Sequence, residues 1–159
     1  MLSDSNPLIE SQIKLWRESI KPSLNQALES TPDDKLNWAP APGMITLGNI
    51  FLHISECSDW WYEEVMLQRK SQELTPAPDA PVPSKSQIKA YMDIHWERLE
   101  RLFAEKPDAL KKTYKFAGRE KEWQYDGFWI FSHLLEHDIH HRSQINQYLR
   151  ILGVTPPEI

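Results

Sequence analysis

The stretch FSHLLEHDIHHRSQ, residues 131–144, decides the fold because it combines helical periodicity with a pair of histidines on one face. At about 100° per residue, His137 and His141 are separated by about 40° and one turn, so both imidazoles can reach one point beside the helix. Leu134 and Ile145 flank the pair, which predicts an inward-facing stripe. An unsatisfied polar group on a buried face costs roughly 1 to 3 kcal/mol, and one metal ion would give both rings a shared partner.

A third ligand should come from another helix, where His53 is the only histidine and shares an apolar face with Ile50. Three neutral imidazoles leave a fourth or fifth coordination position open, which is typical of catalytic sites. Zinc, nickel, iron and cobalt all accept imidazole ligands, and we expect one divalent ion, with zinc or nickel preferred. Simple packing is the alternative explanation, because two histidines four residues apart on a helix are often surface or core residues.

The other histidines and the cysteine are weaker candidates. His133 lies one turn before His137 and could replace it as a ligand or line a pocket. His140 points to the flank of the stripe, and His95 is expected on an exposed or boundary face. Cys57 follows His53 by one turn, and we interpret it as a small buried hydrophobe rather than a ligand.

Several side chains near the histidines could support a site without binding the metal. Glu136 and Asp138 could accept an imidazole N–H, although plain solvation is an equally good explanation. Trp60 and Tyr148 are candidates for a pocket wall, since they lie on faces next to the histidines. No serine or cysteine nucleophile with a paired base and no glycine-rich phosphate loop is evident in the sequence.

The rest of the chain predicts a helical protein. Amphipathic patterns occur at about residues 7–29, 46–68, 84–105 and 126–153, and four such helices predict an all-α, four-helix bundle that forms a single domain over residues 1–159. Pro22 should kink or break the first helix. The proline-rich linker at 75–84 can return along the whole bundle, which lets helices two and three run parallel. Residues 113–123 predict a possible short hairpin, with its turn near Gly118.

The composition excludes several classes of partner. The chain carries a formal net charge of −5 and is 40% hydrophobic, so it can form a core but is a poor candidate for binding nucleic acid or anionic lipid. The first residues lack a signal-peptide pattern, and no apolar run reaches the roughly 18 to 20 residues of a membrane helix. Cys57, the one cysteine, excludes an intrachain disulfide. We therefore expect a cytoplasmic protein with a small-molecule substrate and no membrane partner.

The sequence around these histidines resembles a known family. Residues 137–145, HDIHHRSQI, resemble the H-E-x-H-H-R-G-Q-I signature of the DinB-like (DinB/YfiT-like) metalloproteins, which are unrelated to the DNA polymerase of that name. The stretch LNWAPAPG at 36–43 and the residues that lead to His53 are also similar to the family pattern. The resemblance covers about residues 8–153. Asp138 and Ser143 depart from the usual glutamate and glycine, which leaves the local packing open but removes no ligand.

The resemblance implies a fold, a site and a range of functions. It implies a metal-dependent four-helix bundle with up-down-down-up connectivity, ligands at His53, His137 and His141, and frequent homodimers. Characterised members include thiol-dependent transferases and isomerases that use bacillithiol, mycothiol or glutathione. The leading hypothesis is therefore a metal-dependent thiol S-transferase or related isomerase. A metal-dependent hydrolase and a non-enzymatic metal-binding stress-response protein are the alternatives.

Overall fold

The structure, a computed structural model, describes residues 6–77, 80–105 and 108–158. Both ends of the predicted 1–159 domain, and Pro78 and Asp79 of the predicted linker, lie outside the described residues. The chain is mostly helical (64%). Its α-helices are α1 (Pro7–Leu15), α2 (Lys21–Ser30), α3 (Leu47–Asp59), α4 (Lys85–Glu105), α5 (Asp108–Lys111) and α6 (Gly127–Ile151). π-Helical segments at Trp16–Ile20 and Trp60–Met66 join α1 to α2 and extend α3.

The prediction of an all-α, up-down-down-up four-helix bundle is wrong as a fold class, because the chain also contains a two-stranded antiparallel sheet. Strand β1 (Thr113–Ala117) pairs with β2 (Glu122–Asp126) in a continuous register from Thr113 opposite Asp126 to Ala117 opposite Glu122. Tyr114 is buried and Phe116 half-buried while their neighbours are exposed, which is the period-two pattern of a strand. The hairpin expected near Gly118 is therefore confirmed, and it is a regular part of the fold.

The predicted disturbance at Pro22 takes the form of the π-helical segment that ends at Ile20. Proline has no N–H to donate to the carbonyl four residues earlier and its ring clashes with it, so a wider turn before Pro22 accommodates both effects.

The second π-helical segment ends at Met66, and Gln68 then takes a φ of 55°. The Gln68 side chain donates to the carbonyl of Val65 at 2.9 Å, which satisfies one of the free carbonyls at the helix end.

At the starts of α4 and α6, side chains satisfy the first backbone N–H groups. Before α4, Ser84 Oγ accepts from Gln87 N (3.4 Å) while Gln87 Oε1 accepts from Ser84 N (3.0 Å), which is a reciprocal capping box. Before α6, Asp126 Oδ1 accepts from Trp129 N at 2.8 Å. This cap fixes where the histidine-bearing helix begins.

The linker between α3 and α4 runs back along α3. Close to the C-terminal end of α3, Asp59 Oδ2 accepts from Gln72 N at 2.6 Å. Near its N-terminal end, a Cβ added to Gly48 would lie 2.6 Å from Val82 Cγ1, so glycine at that position lets the linker pass. Helix α4 consequently begins beside the start of α3 and runs parallel to it. The predicted return of the linker is therefore present.

Helix α3 lies between α4 and α6 and contributes to both interfaces. It runs antiparallel to α6, because Tyr148 near the end of α6 donates its hydroxyl to the carbonyl of Ile45, just before α3 begins. The largest completely buried side chains are Trp16, Phe51 and Phe131, from three different parts of the chain. Among the described residues, every helix is too short or too polar to serve as a transmembrane span.

Candidate metal centre

The structure brings the three predicted ligands together where α3 and α6 face each other. The ring centroid of His53 lies 4.9 Å from that of His137 and 4.9 Å from that of His141, and the latter two are 4.4 Å apart. One nitrogen of each ring can be chosen so that all three lie within 4.8 Å of one another. Among the described residues, this is the one group of three or more potential ligand side chains that meets that spacing.

Hydrogen bonding selects the ligand nitrogen of His141. Its Nδ1 lies 2.9 Å from Gln144 Oε1. An amide oxygen only accepts, so Nδ1–H of His141 donates and Nε2 keeps the lone pair that a metal needs. Gln144 follows His141 by three residues, a separation at which side chains on a helix meet.

Burial keeps His137 and His141, the two predicted ligands on α6, neutral. It is the main cause that lowers the pKa of His137 to about 3, and the neighbouring charges of His141 and His53 lower it further. Burial also lowers the pKa of His141, partly opposed by its hydrogen bond to Gln144. Neutral imidazole is the form that binds metal. The site is therefore prepared for a cation rather than for a carboxylate or phosphate.

The contacts of His137 fit a shared metal ion. Its Nε2 lies 3.2 Å from Nε2 of His53. Two nitrogens bound to one tetrahedral zinc at about 2.0–2.1 Å are about 3.3–3.4 Å apart. The donor set and this spacing fit zinc, and three imidazoles also suit nickel or cobalt.

A cavity of about 350 Å³ reaches the cluster at His53. Trp60, a predicted pocket residue, and Cys57 line it on the side of α3, and Ser71 lines it from the linker. Cys57 is half-buried, and burial, followed by the charges of Asp138 and Glu56, raises its pKa to about 12. The cavity provides the access that a substrate would need to an open coordination position.

His133, proposed as a replacement ligand or pocket residue, belongs to an aromatic stack. Its ring lies 5.0 Å from that of Trp129 and almost parallel to it, and Trp129 in turn stacks on Tyr125 of β2 at 3.7 Å. The centroid of His133 is 6.3 Å from that of His137, and the close cluster does not include it. Through this stack the hairpin packs against the histidine-bearing face of α6, a contact that the sequence did not predict.

Asp138 and His95 form a second polar group beneath the cluster. His95 is completely buried, so the expectation of an exposed or boundary position is wrong. Its Nε2 lies 3.2 Å from Asp138 Oδ2 and its Nδ1 lies 2.5 Å from Ser58 Oγ. Trp16 Nε1–H also donates to Asp138 Oδ2, at 3.3 Å. Asp138 therefore accepts from α4 and the first helix rather than from the predicted ligands.

The remaining candidates do not belong to the cluster of three rings. Glu136 is exposed on the outer side of α6. Tyr148 is buried, donates to the carbonyl of Ile45 and packs edge-to-face with Trp38, so it closes the end of the core instead of lining the cavity. His140 is exposed, with its ring 4.8 Å from that of His141.

Comparisons with known proteins identify the family and the fold of the chain. Residues 21–145 match the sequence profile of the DinB superfamily. The chain is similar to a DinB-like protein from Bacillus cereus ATCC 10987, with a TM-score of 0.71, 26% identity, and coverage of 95% of this chain and 97% of that one. A DinB-like protein from Bacillus subtilis, YjoA, shares the fold, with a TM-score of 0.64, 18% identity, and coverage of 88% and 91%. No curated protein sequence matches the chain.

Proposed function

We propose that this chain, which belongs to the DinB superfamily, is a metal-dependent enzyme that uses a low-molecular-weight thiol, either for transfer to an electrophile or for a related isomerisation. The observation that carries the proposal is the cluster of His53, His137 and His141 beside an accessible cavity. Three neutral nitrogen ligands and an approach for a small molecule are the features of a catalytic rather than a structural metal site. Thiol-dependent members of the superfamily support the choice of reaction.

The roles of the residues follow from their positions. His53, His137 and His141 would hold the ion, and Gln144 would orient His141 through its Nδ1–H. When bound, a divalent metal lowers the pKa of a coordinating thiol, so that the sulfur is nucleophilic at neutral pH. Trp60 would supply an apolar wall for the substrate.

Cys57 does not replace the external thiol in this proposal. Because its pKa is raised to about 12, chiefly by burial, its own sulfur stays protonated at neutral pH. A protonated thiol is a poor nucleophile. The reacting sulfur is therefore assigned to a low-molecular-weight thiol that enters from solution.

The positions of the carboxylates favour the thiol reaction over metal-dependent hydrolysis. A hydrolase needs a general base that faces the reacting water. Glu136 is exposed, and Asp138 accepts from His95 and Trp16. Of the carboxylates at the cavity, Glu56 accepts from Leu74 N and Thr75 Oγ1, and Glu64 accepts from Ser71. Glu73, the third, is exposed on the linker.

The metal is tested first. Tag-free wild-type protein and the His53→Ala/His137→Ala double variant would be incubated with zinc or nickel, desalted, and measured by elemental analysis and circular dichroism. We expect about one equivalent of metal in the wild type and none in a variant of unchanged helical content. Absence of metal from both proteins would refute the proposed site.

The activity is tested with the metal-loaded protein, a panel of thiols and an electrophile whose conjugation changes its absorbance. We expect turnover that requires both the thiol and the metal and that is lost in the double variant. One bound metal without thiol-dependent turnover on any electrophile would favour the non-enzymatic alternative.

The assembly and the location belong to the same proposal. We propose a homodimer, as in many DinB-like proteins, and light scattering coupled to size-exclusion chromatography would give its mass directly. A cytoplasmic location is proposed because Cys57, the single cysteine, would then stay reduced. Fractionation of cells that express the untagged chain tests this location.

A further inference from the structure

The walls of the cavity next to His53 are negatively charged. Glu56, Glu64 and Glu73 all line it, and no lysine or arginine is among its described lining residues. The carboxylates approach from two directions, because Glu56 and Glu64 project from the α3 side while Glu73 comes from the linker. Any molecule that enters from this side to reach the histidines therefore passes three acidic side chains.

Two of the carboxylates are held in place by hydrogen bonds. Glu64 accepts from the hydroxyl and backbone N–H of Ser71, and the hydroxyl bond is the main cause that lowers the pKa of Glu64. Glu56 accepts from the backbone N–H of Leu74 at 3.0 Å and from Thr75 Oγ1 at 2.5 Å. Hydrogen bonds to a carboxylate favour its charged form, and those from Ser71 keep Glu64 ionised at neutral pH.

The cations near the cavity do not neutralise it. Arg98 pairs with Asp59 and lies 3.7 Å from Glu63, while Arg69 pairs with Glu63 at 2.7 Å. Neither arginine lines the cavity. Lys70 also lowers the pKa of Glu64, but its side chain is exposed and outside the lining.

An aromatic face accompanies the negative charge. Trp60 lines the same cavity, and edge-to-face contacts with Trp61 at 4.9 Å and Phe116 at 5.3 Å fix its ring. A tryptophan face attracts ammonium groups, and nearby carboxylates add to that attraction. The same surroundings repel a carboxylate.

We infer that this cavity selects a cationic thiol, one that carries an ammonium group close to its sulfur, over thiols of similar size that carry a carboxylate. The thiol part of the inference rests on the proposed function, while the charge selectivity rests on the cavity alone. Glu56, Glu64 and Glu73 set the selectivity by their charge, and Trp60 provides the surface against which the cation lies.

The first test uses three short thiols that share a two-carbon chain and differ in the charge of its end group: cysteamine, 2-mercaptoethanol and 3-mercaptopropionate. Protein loaded with cobalt(II) would be titrated with each thiol, and binding followed by the sulfur-to-cobalt charge-transfer absorption. Cysteamine should bind about tenfold or more tightly than 3-mercaptopropionate, with 2-mercaptoethanol between them, as expected for two or three partly screened charges at short range. Equal affinities, or tighter binding of the carboxylate, would overturn the inference.

The second test needs neither the metal nor a thiol substrate. Cys57 lines the cavity and is the only cysteine, so it reports on the local potential. Its modification by a trimethylammonium-ethyl methanethiosulfonate would be compared with that by the sulfonatoethyl reagent, each normalised to the same reaction in the unfolded chain. The cationic reagent should be favoured about tenfold. No preference, or no reaction with either reagent, would contradict the inference.

Charge-neutral variants separate the cavity from the general acidity of the chain. Glu73→Gln should reduce both preferences about threefold, whereas Glu29→Gln, an exposed change outside this cavity, should leave them unchanged. If no thiol reaches the metal and Cys57 still prefers the cationic reagent, the proposed function fails and the charge selectivity stands. If the thiols bind the metal without discrimination and Cys57 shows no preference, the charge selectivity fails and the proposed function stands.

Discussion

Two groups of histidines in this protein differ in how their hydrogen bonds are satisfied. In the first, His95 is completely buried, and both of its ring nitrogens have partners, Ser58 and Asp138. In the second, the rings of His53 and His137 face each other, and a buried nitrogen of His137 has no partner among the described residues. Both nitrogens of His95 are therefore paired within the protein, whereas the Nε2 atoms of His53 and His137 face each other.

The comparison separates stability from binding. A buried histidine with two protein partners joins helices, in this case α3, α4 and α6, and its loss should mainly affect folding. Histidines whose lone-pair nitrogens face one another gain little from the fold, so their loss should mainly affect a ligand. Burial alone does not distinguish the two groups, because His141 is also buried.

The largest effect is expected for His95→Ala. The substitution leaves a cavity and an uncompensated carboxylate at Asp138, so it should lower the free energy of unfolding by about 3 kcal/mol. Urea denaturation of the metal-free protein measures this loss, and His140→Ala, an exposed histidine of α6, is the control. At saturating metal, the folded variant should still bind one equivalent. An unchanged unfolding free energy would mean that the buried network contributes nothing to stability.

For His141→Ala we expect a large loss of metal affinity and a smaller change in the free energy of unfolding. Loss of one of three ligands should weaken metal binding by at least about 100-fold, since even outer hydrogen-bond partners of ligands contribute about 10- to 100-fold. Competition with a chromophoric chelator measures the affinity, with the neighbouring His140→Ala as control. Unfolding of the metal-free form should change by less than for His95→Ala. Equal metal affinities in the two variants would remove His141 from the site.

The sequence predicted which three histidines would lie together because the local spacing carries that information. His137 and His141 lie one turn apart on an apolar face, and the apolar setting of His53 selected it as the third ligand. Helix starts were also predictable, since the Asp126 side chain caps α6 as its residue type suggests. These features depend on neighbours within a few residues.

The features that the sequence did not predict have different causes, and one of them is a long-range contact. His95 was interpreted from its immediate neighbours, although its spacing from Met92 and Leu99 places it on the buried face of α4. The partner of Asp138 comes from another helix, 43 residues away in the chain. The all-α class was wrong because helical patterns dominate the chain and the strands are only five residues each.

Acid should lower the stability of the metal-free protein through the histidine cluster. The pKa of His137 falls from 6.5 in the unfolded chain to about 3 in the folded protein, chiefly because of burial. Between these values the unfolded state binds more protons, so stability is full above pH 6.5 and is lost as the pH falls towards 3. The loss at pH 5 should be about 2 kcal/mol.

The His137→Gln variant isolates this contribution because glutamine does not titrate. Urea denaturation at pH 7 and pH 5 should show a smaller loss for the variant than for the wild type. His140→Gln provides the matched control at an exposed position. The same pH dependence in all three proteins would show that the cluster is not the source of the acid sensitivity.

The smallest effect is expected for Gln144→Ala, which leaves every ligand in place. Gln144 accepts from His141 Nδ1 at 2.9 Å, so its removal frees the ring to rotate and to adopt the other tautomer. Metal affinity should fall about tenfold, within the range for partners that orient a ligand. Gln147→Ala, an exposed glutamine on the same helix, should have no effect. Gln144 orients His141 and fixes its tautomer without binding the metal itself. An equal metal affinity in the Gln144→Ala and Gln147→Ala variants would therefore mean that packing alone sets the orientation of His141.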